Sequence, residues 1–237
     1  MQRKLVTAAV LGSLALVSTA CEFPESGATA SSATASSSTA ASADLADLAD
    51  LEVAPEADVD YDRDDWQPSW RVLPDNDHHC DVRSYSLQQE GTYVDADGQR
   101  HEHARMDDEC NPYEKGDPEL DGGYNEWRSP YDGQVTRDSS ELDADHFVPL
   151  EEVARSGGTE WSEEQKHEFA MYSPSVIVMV SAHSNRAKGS DDPSDWMPSQ
   201  DSYHCAYAVR WVQLKADWDL TVDQDEHDAL ARVLADC

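Results

Sequence analysis

Three side chains between residues 143 and 188 have the types and order needed for work on a phosphate ester. Asp145 and His146 are adjacent, so in an extended chain they point to opposite sides, and one can hold a metal while the other addresses a water. Further on, Asn185 offers a neutral oxygen ligand, and Arg186 and Lys188 follow it as two cations spaced to meet a phosphate. A carboxylate combined with an amide oxygen suits a hard cation, Mg²⁺ or Mn²⁺, rather than a soft-metal site. These are the parts of metal-assisted phosphodiester hydrolysis.

The elements that must position these groups can be read from the flanking pattern. Pro130 and Gly133 predict a turn that delivers a strand carrying Asp145 and His146, and Pro149 ends that strand. Arg137 lies on the approach and is expected to pair with one of many neighbouring acids. Leu150, Val153 and Ala154 followed by Gly157-Gly158 predict a short helix with a glycine stop. Ser162 and Gln165 have capping-box spacing and open a second helix that runs to about Ala170. The branched run 175–180 has the length and character of a buried strand lying against the first. Asn185 then falls near the start of a short helix for which Ser184 or Asp191 is the expected cap, and His183 reads as an exposed polar residue.

At these positions the sequence resembles the HNH, or ββα-metal, nucleases. It is most similar to secreted actinobacterial proteins related to the C-terminal domain of GmrSD restriction enzymes. The similarity is carried by DHFVPLEEVARSGG (145–158), Trp161, Phe169-Ala170 and NRAKGSDDPSDWMP (185–198), with weaker likeness at CDVR (80–83) and SPYDG (129–133). The resemblance implies that Asp145 and Asn185 hold Mg²⁺ or Mn²⁺ while His146 takes a proton from the attacking water. It also implies a nucleic acid substrate, DNA rather than RNA, with Arg186 and Lys188 as phosphate contacts. The middle Asn of the HNH triplet, which braces the loop holding the base, is replaced near Ser175 or Val176.

Charge argues the other way. The formal net charge is −32, whereas nucleic-acid binders usually present a basic patch. Abundant Asp with scarce Lys along the whole chain fits operation in high salt, where repulsion from a polyanion is screened, and a bound divalent ion would reverse the field locally. The competing readings are a degenerate HNH fold kept as a surface binding or adhesion module, and an acidic ion-binding lipoprotein that holds Ca²⁺ away from Asp145.

The N-terminal region has a different character. Arg3 and Lys4 precede an apolar run over 5–17, which with the small residues Ser18 and Ala20 reads as a signal peptide over 1–20. Cys21 then stands where a bacterial lipoprotein is acylated, and lipidation there leaves four cysteines, an even number for pairing. Residues 21–60 are rich in Ala, Ser and Asp and are expected to form a tether spanning roughly 35 Å. Within it the three-residue repeat ADLADLADL (43–51) matches neither helical nor strand periodicity.

All seven Trp and all nine Tyr lie from Tyr61 onward, which leaves one folded unit over 61–237. Pro74-Asp75-Asn76-Asp77 reads as a turn. Alternation in 83–100 suggests two strands around Glu90-Gly91 and a second turn at Asp97-Gly98, stapled by a Cys80–Cys110 disulfide in an oxidising compartment. His78-His79 and His101-Glu102-His103 lack zinc-site spacing and read as solvated turns. At the C-terminal end Tyr207, Trp211, Leu214 and Trp218 form a helical stripe, Asp223 and Glu226 a capping box, and Leu230, Val233 and Leu234 a second helix. An antiparallel pair brings Cys205 to Cys237.

The expected product is an α+β protein: a ββα-metal core, an N-terminal disulfide-stapled hairpin region and a C-terminal helical hairpin. It would be a monomer, exported and held to the membrane through Cys21.

Overall fold

A computed structural model describes residues 45–73 and 79–237. The signal segment, Cys21, the first part of the tether, the 74–77 turn and His78 lie outside the described residues. Among those residues no helix is long and apolar enough to cross a membrane.

The central strand pair forms where the sequence is branched and apolar. β5 (Leu142–His146) lies antiparallel to β6 (Ile177–Ser181), with Asp145 opposite Val178 and His146 opposite Ile177. Every residue of β6 is buried, so it reads as a continuous apolar run rather than an alternating one. Two strands leave an unpaired edge, and two helices cover it. Glu90 accepts from the Met179 amide at 2.9 Å, and Arg210 Nη2 donates to the carbonyls of Ser175 and Ile177 at 2.7 and 2.8 Å.

Between the two strands run α3 (Leu150–Arg155), ended at Gly157 with φ 110°, and α4 (Glu163–His167), opened by the Ser162–Gln165 capping box. The chain widens after α4 into a π-turn over Glu168–Tyr172. α5 (Ala182–Lys188) follows β6 directly and packs on both strands. Its cap is Ser181, whose hydroxyl accepts from the Ser184 amide, rather than Ser184 or Asp191. The last residue of the strand thus supplies the hydroxyl that serves the helix.

The N-terminal half departs from its expected form. The first proposed strand is a helix, α2 (Val82–Glu90), capped by Asp81, which accepts from the Ser84 amide at 2.7 Å. Val82, Ser86 and Leu87 bury one side of it. Alternation over so short a span could not distinguish strand from helix, and the cap decided. The hairpin lies beyond it, β1 (Thr92–Val94) and β2 (Arg100–Glu102), turning at Asp97-Gly98. With β3 (Tyr124–Arg128) and β4 (Val135–Thr136) it makes a four-stranded antiparallel sheet in the order β2-β1-β3-β4. Gly91 is where this sheet meets α2: a Cβ there would stand 2.6 Å from both Ala104 Cβ and Trp127 Nε1. The Cys80–Cys110 disulfide, with Cα atoms 5.5 Å apart, ties the start of α2 to the loop after β2.

The tether also shortens. Residues 45–50 form a helix, α1, and Leu48 is buried in the main core with Leu45 and Leu51 packed against it. A three-residue repeat drifts about 60° per step on a helix, so three leucines still share one face of about 120°. Beyond α1 the chain continues as a strap: Val53 bridges Val222, the Ala54 amide donates to the Val222 carbonyl and the Ala57 amide to that of Arg155. Residues 45–60 are therefore part of the folded unit, and it does not begin at Tyr61.

The C-terminal hairpin agrees with expectation. α6 (His204–Asp217) and α7 (Gln224–Ala235) pack together, and Cys205–Cys237 joins their outer ends with Cα atoms 5.7 Å apart. Their inner faces, Tyr207, Trp211, Leu230 and Leu234, enter the same core as Tyr131 and Phe147.

Candidate active site

The core presses the ends of β5, α3 and α5 together around a cavity of about 430 Å³. Asp145, His146 and Asn185 all line it, with Tyr61, Arg63, Glu151 and Ser190. Side chains from well-separated segments of the chain thus share one opening.

Asp145 is buried, and its two oxygens differ. Oδ2 accepts from Lys188 Nζ at 2.6 Å and from the Tyr131 hydroxyl at 2.7 Å. Among the described residues no hydrogen bond is recorded to Oδ1, so that oxygen remains available as a ligand. On α5, Asn185 uses Nδ2 to donate to Asp143 Oδ2 at 3.1 Å, which identifies its other amide atom as an oxygen acceptor. One carboxylate oxygen and one amide oxygen on a common cavity form a hard donor set that fits Mg²⁺ or Mn²⁺, with water or phosphate completing the shell.

His146 is buried at the wall of the cavity. Its ring stacks on Trp70 (centroids 5.7 Å apart) and on Phe169 (6.3 Å), and Nε2 lies 2.9 Å from the Ala170 carbonyl oxygen. A carbonyl only accepts, so Nε2 carries the proton and Nδ1 is a bare acceptor. Burial pushes the imidazole down to about 3, against the opposing effect of the Ala170 bond and with help from the Arg63 and Lys188 charges. The ring is therefore neutral at physiological pH. The carbonyl that orients it comes from the π-turn, a local widening common at functional sites. That contact, with the two stacked rings, holds the histidine in place.

Lys188 is not where a phosphate contact would be. It is wholly buried, donates to Asp145 and to the His146 carbonyl at 2.8 Å, and has no exposed surface. Its position near the end of α5, one helical turn from Asn185, points it inward. Arg186 is exposed on the same helix but does not line the cavity, and His183 is exposed as expected. Arg137 pairs with Glu126 at 3.7 Å and stacks on Tyr124. His101 bonds Asp95 at 2.9 Å and stacks on Tyr93 rather than joining a metal cluster.

Three contributors escaped the sequence reading. Arg63, on the strap, is the exposed guanidinium that lines the cavity, and one of its nitrogens is engaged by Gln67 at 2.7 Å. Nothing in its local sequence marks it. Trp70 and the Ala170 carbonyl are likewise visible only in three dimensions. Tyr131 had a signal, since it lies in the SPYDG segment already compared with a family motif.

A family model described as GmrSD restriction endonucleases, C-terminal domain, matches residues 106–233. An uncharacterized secreted protein of Arthroderma benhamiae (strain ATCC MYA-4681 / CBS 112371) is 32% identical over 193 residues, covering 80% of this chain and 82% of its own. No solved structure matches.

Proposed function

The chain belongs to the family of the GmrSD restriction endonuclease C-terminal domain, and from that premise we propose that it is an exported, metal-dependent endonuclease of HNH type. In this reading β5, β6 and α5 are the ββα-metal core, and the substrate is DNA. One observation carries the proposal: a neutral histidine with a bare Nδ1 shares a cavity with a carboxylate oxygen and an amide oxygen free to bind a hard cation.

Asp145 and Asn185 would hold Mg²⁺ or Mn²⁺, which when bound supplies Lewis-acid stabilisation of charge developing on phosphate and leaving oxygens. His146 accepts the proton of an attacking water at Nδ1 while the Ala170 carbonyl keeps the ring in the required tautomer. A phosphate anion in the cavity raises the basicity of the imidazole, offsetting the burial that lowers it. Lys188 and Tyr131 occupy Asp145 Oδ2, which leaves Oδ1 for the ion. Arg63, not Lys188, is the phosphate cation.

Lys188 also compensates the Asp145 charge, so protein alone should hold the metal weakly and substrate should complete its shell. The lipid anchor at Cys21, secretion like that of the fungal relative, monomeric state and activity in high salt belong to the same proposal.

A plasmid-nicking assay with Mg²⁺ or Mn²⁺ across salt concentrations tests it. Wild type is expected to nick, and His146→Ala to lose about 10²–10⁴-fold, the usual contribution of a positioned base. Equal nicking by the two removes the catalytic assignment. No nicking by wild type at any salt concentration favours the binding-module reading, which the net charge of −32 supports.

A further inference from the structure

The wall that the strap gives to the cavity contains an aromatic ring that the hydrolytic chemistry does not use. β5 and α5 contribute Asp145 and Asn185, the strap contributes Tyr61 and Arg63, and α3 contributes Glu151. Tyr61 is half-buried and packs on the main core. Among the described residues its one ring contact is with Trp66, with centroids 6.3 Å apart and planes tilted by 48°, so no neighbouring ring is stacked flat on it. Burial lifts its phenol to about 12, Arg63 opposing the shift and Glu151 adding to it. The ring is therefore uncharged, with a cation and an anion as neighbours. Its place is fixed from both sides. Asp62 caps the turn over 63–65 by accepting from the Asp64 amide at 3.0 Å, Trp66 beyond it is buried against Trp161, and upstream the Ala57 amide donates to the Arg155 carbonyl.

Each group selects a different part of a ligand. The free oxygens of Asp145 and Asn185 call for a hard cation, and Arg63 for the phosphate beside it. Glu151 is 44% exposed, and its nearest cation, Arg155 at 3.7 Å, is shared with Glu56 and Glu152. Its charge repels a second phosphate, so the remainder of the cavity favours an uncharged group. A nucleobase is uncharged, flat and rich in N–H donors. The cavity, about 430 Å³, falls within the range of about 300–1,000 Å³ that encloses small molecules. One nucleotide fits such a space, whereas an intact double helix does not enter it and keeps both faces of every base covered by stacked neighbours.

We propose that Tyr61 stacks on an unpaired nucleobase next to the phosphate held by Arg63, so that this site takes a single strand, or a nucleotide turned out of a duplex, and not an intact double helix. The inference rests on the nuclease reading of the cavity and names the substrate class within it. Stacking tolerates any base because every base has a π-face, so Tyr61 selects for strandedness and not for sequence. It also supplies attraction that salt does not screen, which suits a chain of net charge −32 that must approach a polyanion. Extruding a base from a duplex costs unpairing and unstacking, so nicks in supercoiled plasmid should fall at locally unpaired stretches.

Fluorescence anisotropy with three short labelled probes tests the site: a mixed-sequence DNA single strand, an abasic backbone of the same length, and the same sequence paired in a duplex. The full chain carrying His146→Ala, with Mg²⁺, keeps the probes uncut. The single strand is expected to bind about 5–150-fold more tightly than the abasic backbone, the usual worth of one stacked base, and more tightly than the duplex. Tyr61→Leu, which keeps bulk against the core, should reduce the single strand to the abasic level and leave abasic binding unchanged, while Tyr61→Phe keeps the preference. Equal binding of single strand and abasic backbone overturns the proposal, as does tighter binding of the duplex, a preference that survives Tyr61→Leu, or an equal loss with both probes in that variant. Cleavage by wild type separates this from the parent reading. Nicking that depends on His146 without any strand preference removes the base site alone, and a Tyr61-dependent preference in a chain that never cuts keeps the base site and removes only the catalysis.

Discussion

Among the described residues two lysines are completely buried, and their surroundings differ in a way that separates a working site from a structural one. Lys188 meets a single carboxylate, Asp145, with a backbone carbonyl, and the pair opens through Asp145 onto the cavity. Lys215 is closed in by Glu152, Glu226, Ser156 and the Thr221 carbonyl. The first assembly balances its charge, while the second carries surplus acid. Its excess appears in Glu226, driven up to about 7 chiefly by burial with Glu152 adding to it and Lys215 opposing. Glu152 is lowered, since Lys215 overcomes the burial that would raise it. A lysine can therefore free a carboxylate oxygen for a ligand or hold acids in the interior, and the number of partners shows which.

The comparison breaks most visibly at the lysines themselves. Lys215→Met leaves two buried carboxylates without their cation and should cost about 3–5 kcal/mol at pH 7.5, measured by denaturant unfolding. Acidification should return part of it as the acids take up protons. Lys188→Met strands one carboxylate beside an opening and should cost less, with Mg²⁺ as well as acidification restoring stability. Equal losses that ignore both treatments would show that the two environments are equivalent after all.

Proton linkage sharpens the same contrast on a smaller scale. His146 stays neutral in the folded protein down to about pH 3, whereas an unfolded chain protonates it below about 6.5. The unfolded state then binds the extra proton, so this residue lowers stability as pH falls from about 6.5 toward 3. Glu226 and Glu90, the latter raised to about 6 by burial, act in the opposite sense. They protonate more readily when folded, so they add stability as pH falls from about 7 to 4.5. In EDTA, melting temperature should rise between pH 8 and 6, and Glu226→Gln should remove part of that rise, up to about 2 kcal/mol. A flat profile in wild type would contradict the assignment of surplus acid to the Lys215 assembly.

The mildest effects are expected at the surface arginines. Arg63→Ala should raise KM for plasmid several-fold with stability unchanged within about 0.5 kcal/mol, and Arg186→Ala should leave KM near wild type. The reverse order would return the phosphate contact to α5.

Local chemistry read from the sequence alone was sufficient for the C-terminal helical pair, the capping boxes at Ser162 and Asp223, both disulfides and the positions of Asp145, His146 and Asn185. The helices and their caps depend on residues close in sequence or on a periodicity long enough to be unambiguous, whereas the disulfides followed from an even cysteine count and the site positions from the resemblance to a family motif. The sequence could not show that VRSYSLQQE is helical, that ADLADLADL docks, or that Lys188 is turned inward while Arg63 faces the cavity. These outcomes follow from what each segment packs against, and burial overrides a short pattern because the area removed from water outweighs local propensity. The orientation of His146 belongs to the same class: its proton is placed by a carbonyl from another element, and only the tertiary structure brings the two together.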